Sequence, residues 1–258
     1  MPFVNSGILN FAIFDATSDS ELRLLLSGTV IHPGELHNPI CLIANYLFDA
    51  LCHDLFQVDR DVLKEGLVSV GSKRAKESDP LDPGIIQRMH TIFKYNQTDE
   101  TYYGETRPHH NNILKWYHEY FRPALSGANI LVPIGALAAI ERLAVLSMNG
   151  LVLLSGDKGH SNPDLFRGIG DPQIAVHGSF SIMVNYHALG VYFASRGGFA
   201  LHSLQEEASL KVSAFVLPAN AAVKDEAGSF VMMELYDSGL HGNLRETESS
   251  VSTSFDSI

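Results

Sequence analysis

The chain has 258 residues, of which 45% are apolar, and a formal net charge of −11. This length suffices for one large α/β domain, and the excess of acidic residues argues against a nucleic-acid groove, since phosphate binding requires clustered cations. Two cysteines cannot form a disulfide framework, and the first residues do not have the pattern of a signal peptide. No apolar run reaches the ~20 residues that a membrane span needs. Together with the acidic net charge, these features lead us to expect a cytoplasmic protein without nucleic-acid or membrane partners.

The first predicted elements are a strand and a helix. Residues 9–15 are mostly apolar and end in Asp15, which predicts a strand. Residues 18–26 have a helical pattern, with Ser18 at the N-cap and Gly28 as the terminator. A second strand after residue 39 would complete a strand–crossover–strand unit of right-handed connection.

The second strand is the most informative part of the chain. Its apolar, β-branched run over residues 40–44 ends abruptly at Asn45, and Asp49 follows shortly after. Such a run is typical of a strand buried on both faces of a parallel sheet. Because ligands bind at the carboxyl ends of strands in open α/β sheets, Asn45 is a candidate site residue.

The middle of the chain predicts an insertion. Residues 56–59 and 66–70 predict a hairpin at the edge of the sheet, and residues 71–84 predict a polar loop. Residues 85–120 have a mostly helical pattern rich in His, Tyr and Asn. We therefore expect about 54–120 to form an insertion that covers the site.

The remaining elements complete an α/β pattern. They are a helix over 135–148, a strand over 150–157, a helix over 179–195, strands over 210–217 and 230–236, and a tail over 245–258. The last two strands are expected to form an antiparallel pair, and the Ser/Thr-rich tail is expected to be disordered. The prediction is one α/β domain over residues 1–244.

Three predicted strands end in polar residues, at Asp15, at Asn45 with Asp49, and at Asp157. A parallel sheet would place these ends side by side in one pocket. For each acidic residue alone, capping of the following helix is an equally simple interpretation. His177 at the predicted start of a helix is either a proton acceptor or part of the N-terminal cap.

Other kinds of site receive less support from the sequence. The chain contains no Gly-x-Ser-x-Gly motif, and Gly168-Ile-Gly170 does not follow a strand as a phosphate loop should. His109, His110 and His118 lack the spacing of a chelate, so no metal site is expected.

Three motifs in order resemble class I S-adenosylmethionine-dependent methyltransferases, particularly their MidA-like branch. Residues 38–51 resemble the fourth-strand motif Asn-Glu-aromatic-aromatic-Asp-Ala-Leu, with Tyr46 in place of the glutamate. Residues 153–159 resemble the fifth strand, which ends in Asp-Tyr-Gly. Residues 170–180 resemble the segment Asp-x-Thr-x-His-Val-Asp-Phe, with Gly178-Ser179 in place of Val-Asp.

The resemblance implies a Rossmann-like fold, with a mostly parallel sheet, helices on both faces and a C-terminal antiparallel strand pair. It implies S-adenosylmethionine as the methyl donor and a protein side chain as one possible acceptor. The implied roles of single residues are donor binding by Asp15, Ala16, Asn45 and Tyr46, catalysis by Asn45, Asp49 and His177, and acceptor binding by Asp157, Ser179 and Asn185.

The sequence differs from the family pattern in its N-terminal part. Class I methyltransferases begin with a strand, a glycine-rich loop and a helix, whereas the first strand predicted here matches the family's third. We therefore expect an incomplete fold that belongs to a longer or truncated enzyme, with self-association through an exposed sheet edge. An inactive, methyltransferase-like interaction scaffold is the alternative.

Overall fold

The computed structural model describes residues 2–79, 81–172, 182–204 and 210–219, and the backbone alone at 175–176, 180–181 and 232–235. In chain order the described strands are Leu22–Arg23 (β1), Val30–Ile31 (β2), Ile40–Asn45 (β3), Asp54–Asp59 (β4), Val62–Ser72 (β5), Met89–Gln97 (β6), Ala128–Val132 (β7), Gly150–Asp157 (β8), Gly159–His160 (β9), Ala175–Val176 (β10), Phe180–Ser181 (β11), Val184–Asn185 (β12), Phe199–Ser203 (β13), Lys211–Pro218 (β14) and Met232–Leu235 (β15). The described α-helices are Pro2–Asn5 (α1), Ile85–Arg88 (α2), Pro108–Phe121 (α3), Ile134–Ala144 (α4) and Tyr186–Ser195 (α5).

A five-stranded sheet holds the strand that ends in Asn45. Its order is β15-β13-β14-β8-β3, with β3 and β8 parallel and β14 antiparallel to both of its neighbours. The predicted strands over 40–45 and 150–157 are confirmed. The expectation that the first of them is buried on both faces is wrong, because β3 is the edge strand and its Ile43 is exposed. Alternate side chains of β8, such as Leu151 and Leu153, are buried on one face, as the two-residue period of a strand requires.

A second sheet is antiparallel throughout and has the order β6-β5-β4-β7. The predicted hairpin is confirmed as β4 and β5, but its predicted place at the edge of the main sheet is wrong, because these are the two central strands of the second sheet. The expectation of a mostly helical segment over 85–120 is wrong, because β6 occupies residues 89–97 and only α3 is a long helix. Alternating β-branched and aromatic residues such as Ile92 and Phe93 favour the strand, and Pro108 begins the helix at a position where its missing N–H costs nothing.

The prediction of a mostly parallel sheet is wrong. Most described strand pairs are antiparallel, and parallel pairing is confined to β3–β8, β9–β12 and β13–β15. The predicted pairing of the last two strands is also wrong, because β13 lies between β14 and β15. The structure is nevertheless a mixed α/β fold.

The helix α5 packs on one side of the five-stranded sheet. Tyr192 of α5 donates a hydrogen bond to Glu141 of α4 at 2.9 Å, and α5 also packs against α3 and against β13 and β14. The opposite face is not covered within the described residues, since Ile43 is 79% exposed, Val212 50% and Leu154 40%. The expectation of helices on both faces therefore fails here.

The strand and helix predicted near the start of the chain are absent. Ala12 forms only an isolated bridge with Leu24, and residues 18–26 contain a turn and the short strand β1. None of the side chains at residues 2–39 is buried. Without burial against a core, local sequence preference is too weak to stabilise either element.

The helix predicted over 179–195 is shorter, because α5 begins at Tyr186 after the N-cap Asn185. The predicted tail over 245–258 lies outside the described residues, and the domain bounds stay a prediction. Within the described part of the chain, no helix combines the length and the apolar character needed to cross a membrane.

Candidate functional site

A strained turn follows the end of β3. Asn45 pairs in register with Gly156 of β8, and the next residue, Tyr46, donates its backbone N–H to the Gly156 carbonyl oxygen at 2.9 Å. Tyr46 has a φ of 49°, a left-handed conformation that costs a residue with a Cβ about 1–2 kcal/mol. Asn45, Tyr46 and Leu47 are all exposed at this turn. Strain of this kind is typical of functional loops.

Asp157 holds the segment that follows this turn. Its side chain is fully buried, and one carboxylate oxygen accepts hydrogen bonds from the backbone N–H groups of Phe48 at 3.0 Å and Asp49 at 3.1 Å. The other oxygen accepts from the Lys158 N–H at 2.8 Å. Burial raises the pKa of Asp157, while these N–H donors act in the opposite direction. The observed contact is with the loop, and acceptor binding by Asp157 stays a prediction.

Three chain segments meet at this end of the sheet. The Asp49 carbonyl oxygen accepts from the backbone N–H of Ile182 at 3.1 Å, and the Lys158 carbonyl oxygen accepts from that of Val184 at 2.8 Å. The strand β12 then pairs with β9. The structure thus brings together Asn45, Tyr46, Asp49 and Asp157 with the segment that precedes α5.

Asn185 is a buried N-cap of α5. Its side-chain oxygen accepts from the Ala188 N–H at 2.9 Å, and its amide nitrogen donates to the Leu131 carbonyl oxygen at 3.0 Å and to the Tyr117 hydroxyl at 2.9 Å. Burial lowers the pKa of the adjacent His187 to about 3. These contacts use the side chain to fix α5, and a contact of Asn185 with the acceptor stays a prediction.

The described contacts of Asp15 and Ala16 are with residues other than those of the Asn45 turn. The Ala16 carbonyl oxygen accepts a hydrogen bond from Arg142 in the last turn of α4, whereas the first turn of α4 contacts the chain just after the Asn45 loop, at Cys52. Gly135 and Arg142 are about 10 Å apart along α4, at about 1.5 Å per residue. Asp15 accepts hydrogen bonds from Thr17, which lower its pKa. None of the described hydrogen bonds joins these two residues to the Asn45 turn, and donor binding by them stays a prediction.

His177 and Ser179 lie outside the described residues. In the sequence they fall between Pro172 and Ile182, and these two described residues line two cavities near the site. The predicted roles of His177 and Ser179 stay predictions.

The smaller cavity has a volume of about 340 Å³ and acidic walls. Its lining includes Asp54 and Glu65, and burial raises the pKa of Asp54. His53, which the sequence analysis did not select, also lines it. Its Nδ1 lies 2.8 Å from the Leu51 carbonyl oxygen, and its Nε2 is buried without a hydrogen-bond partner. His53 lies two residues after the motif of residues 38–51, and this position in the sequence could have identified it as a candidate.

The larger cavity has a volume of about 570 Å³ and basic walls. Lys158, His160 and Arg167 are among its lining residues, and burial lowers the pKa of His160. Among the described residues, no three His, Cys, Asp or Glu side chains come together in a group that could hold a metal ion.

A comparison with protein families matches this chain to the model of a known family. The model of a family described as "putative S-adenosyl-L-methionine-dependent methyltransferase" matches residues 28–191. This range includes the Asn45 turn, Asp157 and both cavities' shared residues Pro172 and Ile182. Neither the search of curated proteins nor that of solved structures finds a match.

Proposed function

The chain belongs to this family of S-adenosyl-L-methionine-dependent methyltransferases, and from that premise we propose that it transfers a methyl group from S-adenosylmethionine to an acceptor beside the Asn45 turn. The observation that carries the proposal is the meeting of three segments at the carboxyl ends of two adjacent parallel strands, β3 and β8. Membership of the MidA-like branch, a protein side chain as acceptor and a cytoplasmic location are the finer parts of the proposal.

The residues of the turn fit part of the methyl donor. Asn45 offers an amide and Tyr46 an aromatic ring that is 53% exposed, so one polar group and one flat apolar group are presented together. A Cβ on Gly156 would lie 3.0 Å from the Asn45 side-chain oxygen, so glycine there leaves the amide room. The described hydrogen bonds of Asp15 and Ala16 are with residues 17–19 and Arg142, so nothing in them supports or opposes their part in donor binding.

The bound donor would supply an electrophilic methyl group on a sulfonium. The protein's part is to align the acceptor and exclude water, which is worth up to about 7–11 kcal/mol in well-oriented reactions. We assign orientation to Asn45 and Asp49, and to Asp157 the task of holding their loop through the backbone N–H groups of Phe48 and Asp49. His177 is proposed to take the acceptor's proton, a contribution of about 10²–10⁴-fold.

Isothermal titration calorimetry with S-adenosylmethionine tests this function. We expect saturable binding to the full chain at micromolar ligand and at least tenfold weaker binding by Asn45→Ala. Asn96→Ala is the matched control, because Asn96 is an exposed asparagine in the other sheet, and it should bind as the wild type does.

A non-catalytic scaffold predicts a different result. Absence of heat at millimolar S-adenosylmethionine, from a chain shown to be folded by circular dichroism, would contradict donor binding and favour the scaffold. Equal binding by wild type and Asn45→Ala would remove Asn45 from the donor site while leaving the function in place.

A further inference from the structure

The larger cavity does not include the residues of the Asn45 turn in its described lining. It is bounded by β7, by the residues that follow β8, and by the segment 182–185 before α5. Its volume of about 570 Å³ is within the range of small-molecule sites, about 300–1,000 Å³. Of the residues predicted to bind donor or acceptor, Asn185 lines this cavity, whereas Asn45, Asp49 and Asp157 do not.

The charge of the cavity differs from that of the chain. None of the described lining residues is acidic, although the net charge of the chain is −11. Lys158 and Arg167 contribute two cations, whereas the neighbouring smaller cavity has Asp54 and Glu65 and no lysine or arginine in its described lining. A local excess of positive charge favours an anionic ligand.

The two cations are held in different ways. Both the Nε and an Nη of Arg167 lie against one carboxylate oxygen of Asp164, at 3.0 and 2.7 Å, and the guanidinium also lies over the Phe121 ring. This fixes the guanidinium and offsets part of its charge. The Lys158 ammonium has no hydrogen bond or ion pair with any described residue, while its backbone is anchored by Asp157. Lys158 is therefore the cation that remains to pair with a ligand.

The rest of the lining is largely apolar. Leu131, Leu165, Phe166, Ile182 and Met183 lie around the same space as the cations. A cavity of this kind matches a ligand with an apolar body and one anionic group, since burying the body contributes about 25 cal/mol per Å².

We propose that this cavity binds an amphipathic organic anion, a carboxylate or a sulfonate on an aromatic or aliphatic body, with Lys158 as the residue that pairs with the anionic group. The site does not depend on donor binding at the Asn45 turn. Its failure in a test leaves the methyl-transfer proposal unaffected, and the reverse also holds.

The test compares two probes with the same apolar body, naphthoate and the uncharged naphthalenemethanol, in the full chain without S-adenosylmethionine. We expect saturable naphthoate binding by calorimetry, at least tenfold tighter than that of the alcohol and weakened by added salt. Lys158→Gln should reduce naphthoate affinity about tenfold, and Lys158→Arg should retain it.

The matched control is Lys115→Gln, since Lys115 is an exposed lysine of α3 that lies 4.0 Å from Glu119. This variant should bind naphthoate as the wild type does. Equal affinity for the two probes, no saturable naphthoate binding, or unchanged affinity in Lys158→Gln would each overturn the proposal. Circular dichroism of Lys158→Gln excludes unfolding as the cause of a loss.

Discussion

Replacement of Asp157 by alanine should loosen the loop that carries Asp49. The carboxylate accepts three backbone hydrogen bonds, from Phe48, Asp49 and Lys158, at 2.8–3.1 Å. Hydrogen bonds to a charged group are worth about 1.5–3 kcal/mol each. Burial of the carboxylate, which raises its pKa, offsets part of that gain. We therefore expect Asp157→Ala to lower the free energy of unfolding by about 2–4 kcal/mol.

Two assays measure this effect. Urea unfolding followed by circular dichroism gives the free energy, and a thermal melt should shift down by about 4–16 °C, at about 2–4 °C per kcal/mol for a chain of this size. Hydrogen exchange adds a local readout, because the amides of Phe48 and Asp49 should exchange faster than in the wild type.

Asp61→Ala is the control, since Asp61 is an exposed aspartate outside this loop. It should change the free energy of unfolding by no more than about 0.5 kcal/mol. A change that small in Asp157→Ala, with unaltered exchange at the loop amides, would refute the capping role assigned to the carboxylate.

Three further predictions concern the donor site, the sheet edge and the pH dependence. Gly156→Ala would place a Cβ 3.0 Å from the Asn45 side-chain oxygen and displace it, so S-adenosylmethionine binding should weaken about tenfold in calorimetry with little change in melting temperature. Ile43→Lys puts a charge on the uncovered face of the edge strand β3 and should shift any self-associated species toward monomer in sedimentation velocity. Burial lowers the pKa of His202 to about 4, below the usual 6.5. Between these two pH values the folded chain binds fewer protons than the unfolded chain, so the free energy of unfolding falls as the pH falls. His202→Asn should reduce this pH dependence of the free energy of unfolding by up to about 1.4 kcal/mol per pH unit, measured by urea unfolding.

Each of the three has its own control. Gly170→Ala adds a Cβ that meets nothing within 4 Å, and it should leave donor binding unchanged. Ile92→Lys adds the same charge at an exposed position on the second sheet, and an equal effect there would count against the β3 edge. His37→Asn changes an exposed histidine, and the proposal for His202 fails if both variants keep the wild-type slope.

The local sequence pattern predicted an element correctly where the apolar face of that element is buried in the structure. The apolar run that ends at Asn45 and the run over 150–157 form neighbouring strands, and the alanine-rich segment forms α4. Each of these segments has the hydrophobic periodicity of its element and buries an apolar side chain in the core. The meeting of Asn45, Asp49 and Asp157 at one end of the sheet also followed from this pattern. The early strand and helix failed because residues 2–39 contribute no buried side chain.

Only the tertiary structure decided what the polar residues at the site contact. Asp157 and Asn185 look in sequence like ligand contacts, yet their oxygens accept from backbone N–H groups that the fold places beside them. The antiparallel position of β14, the packing of α5 on the sheet and the basic cavity around Lys158 depend on contacts between distant segments. Sequence periodicity reports which face of an element is apolar, whereas pairing direction and side-chain partners arise when those faces pack.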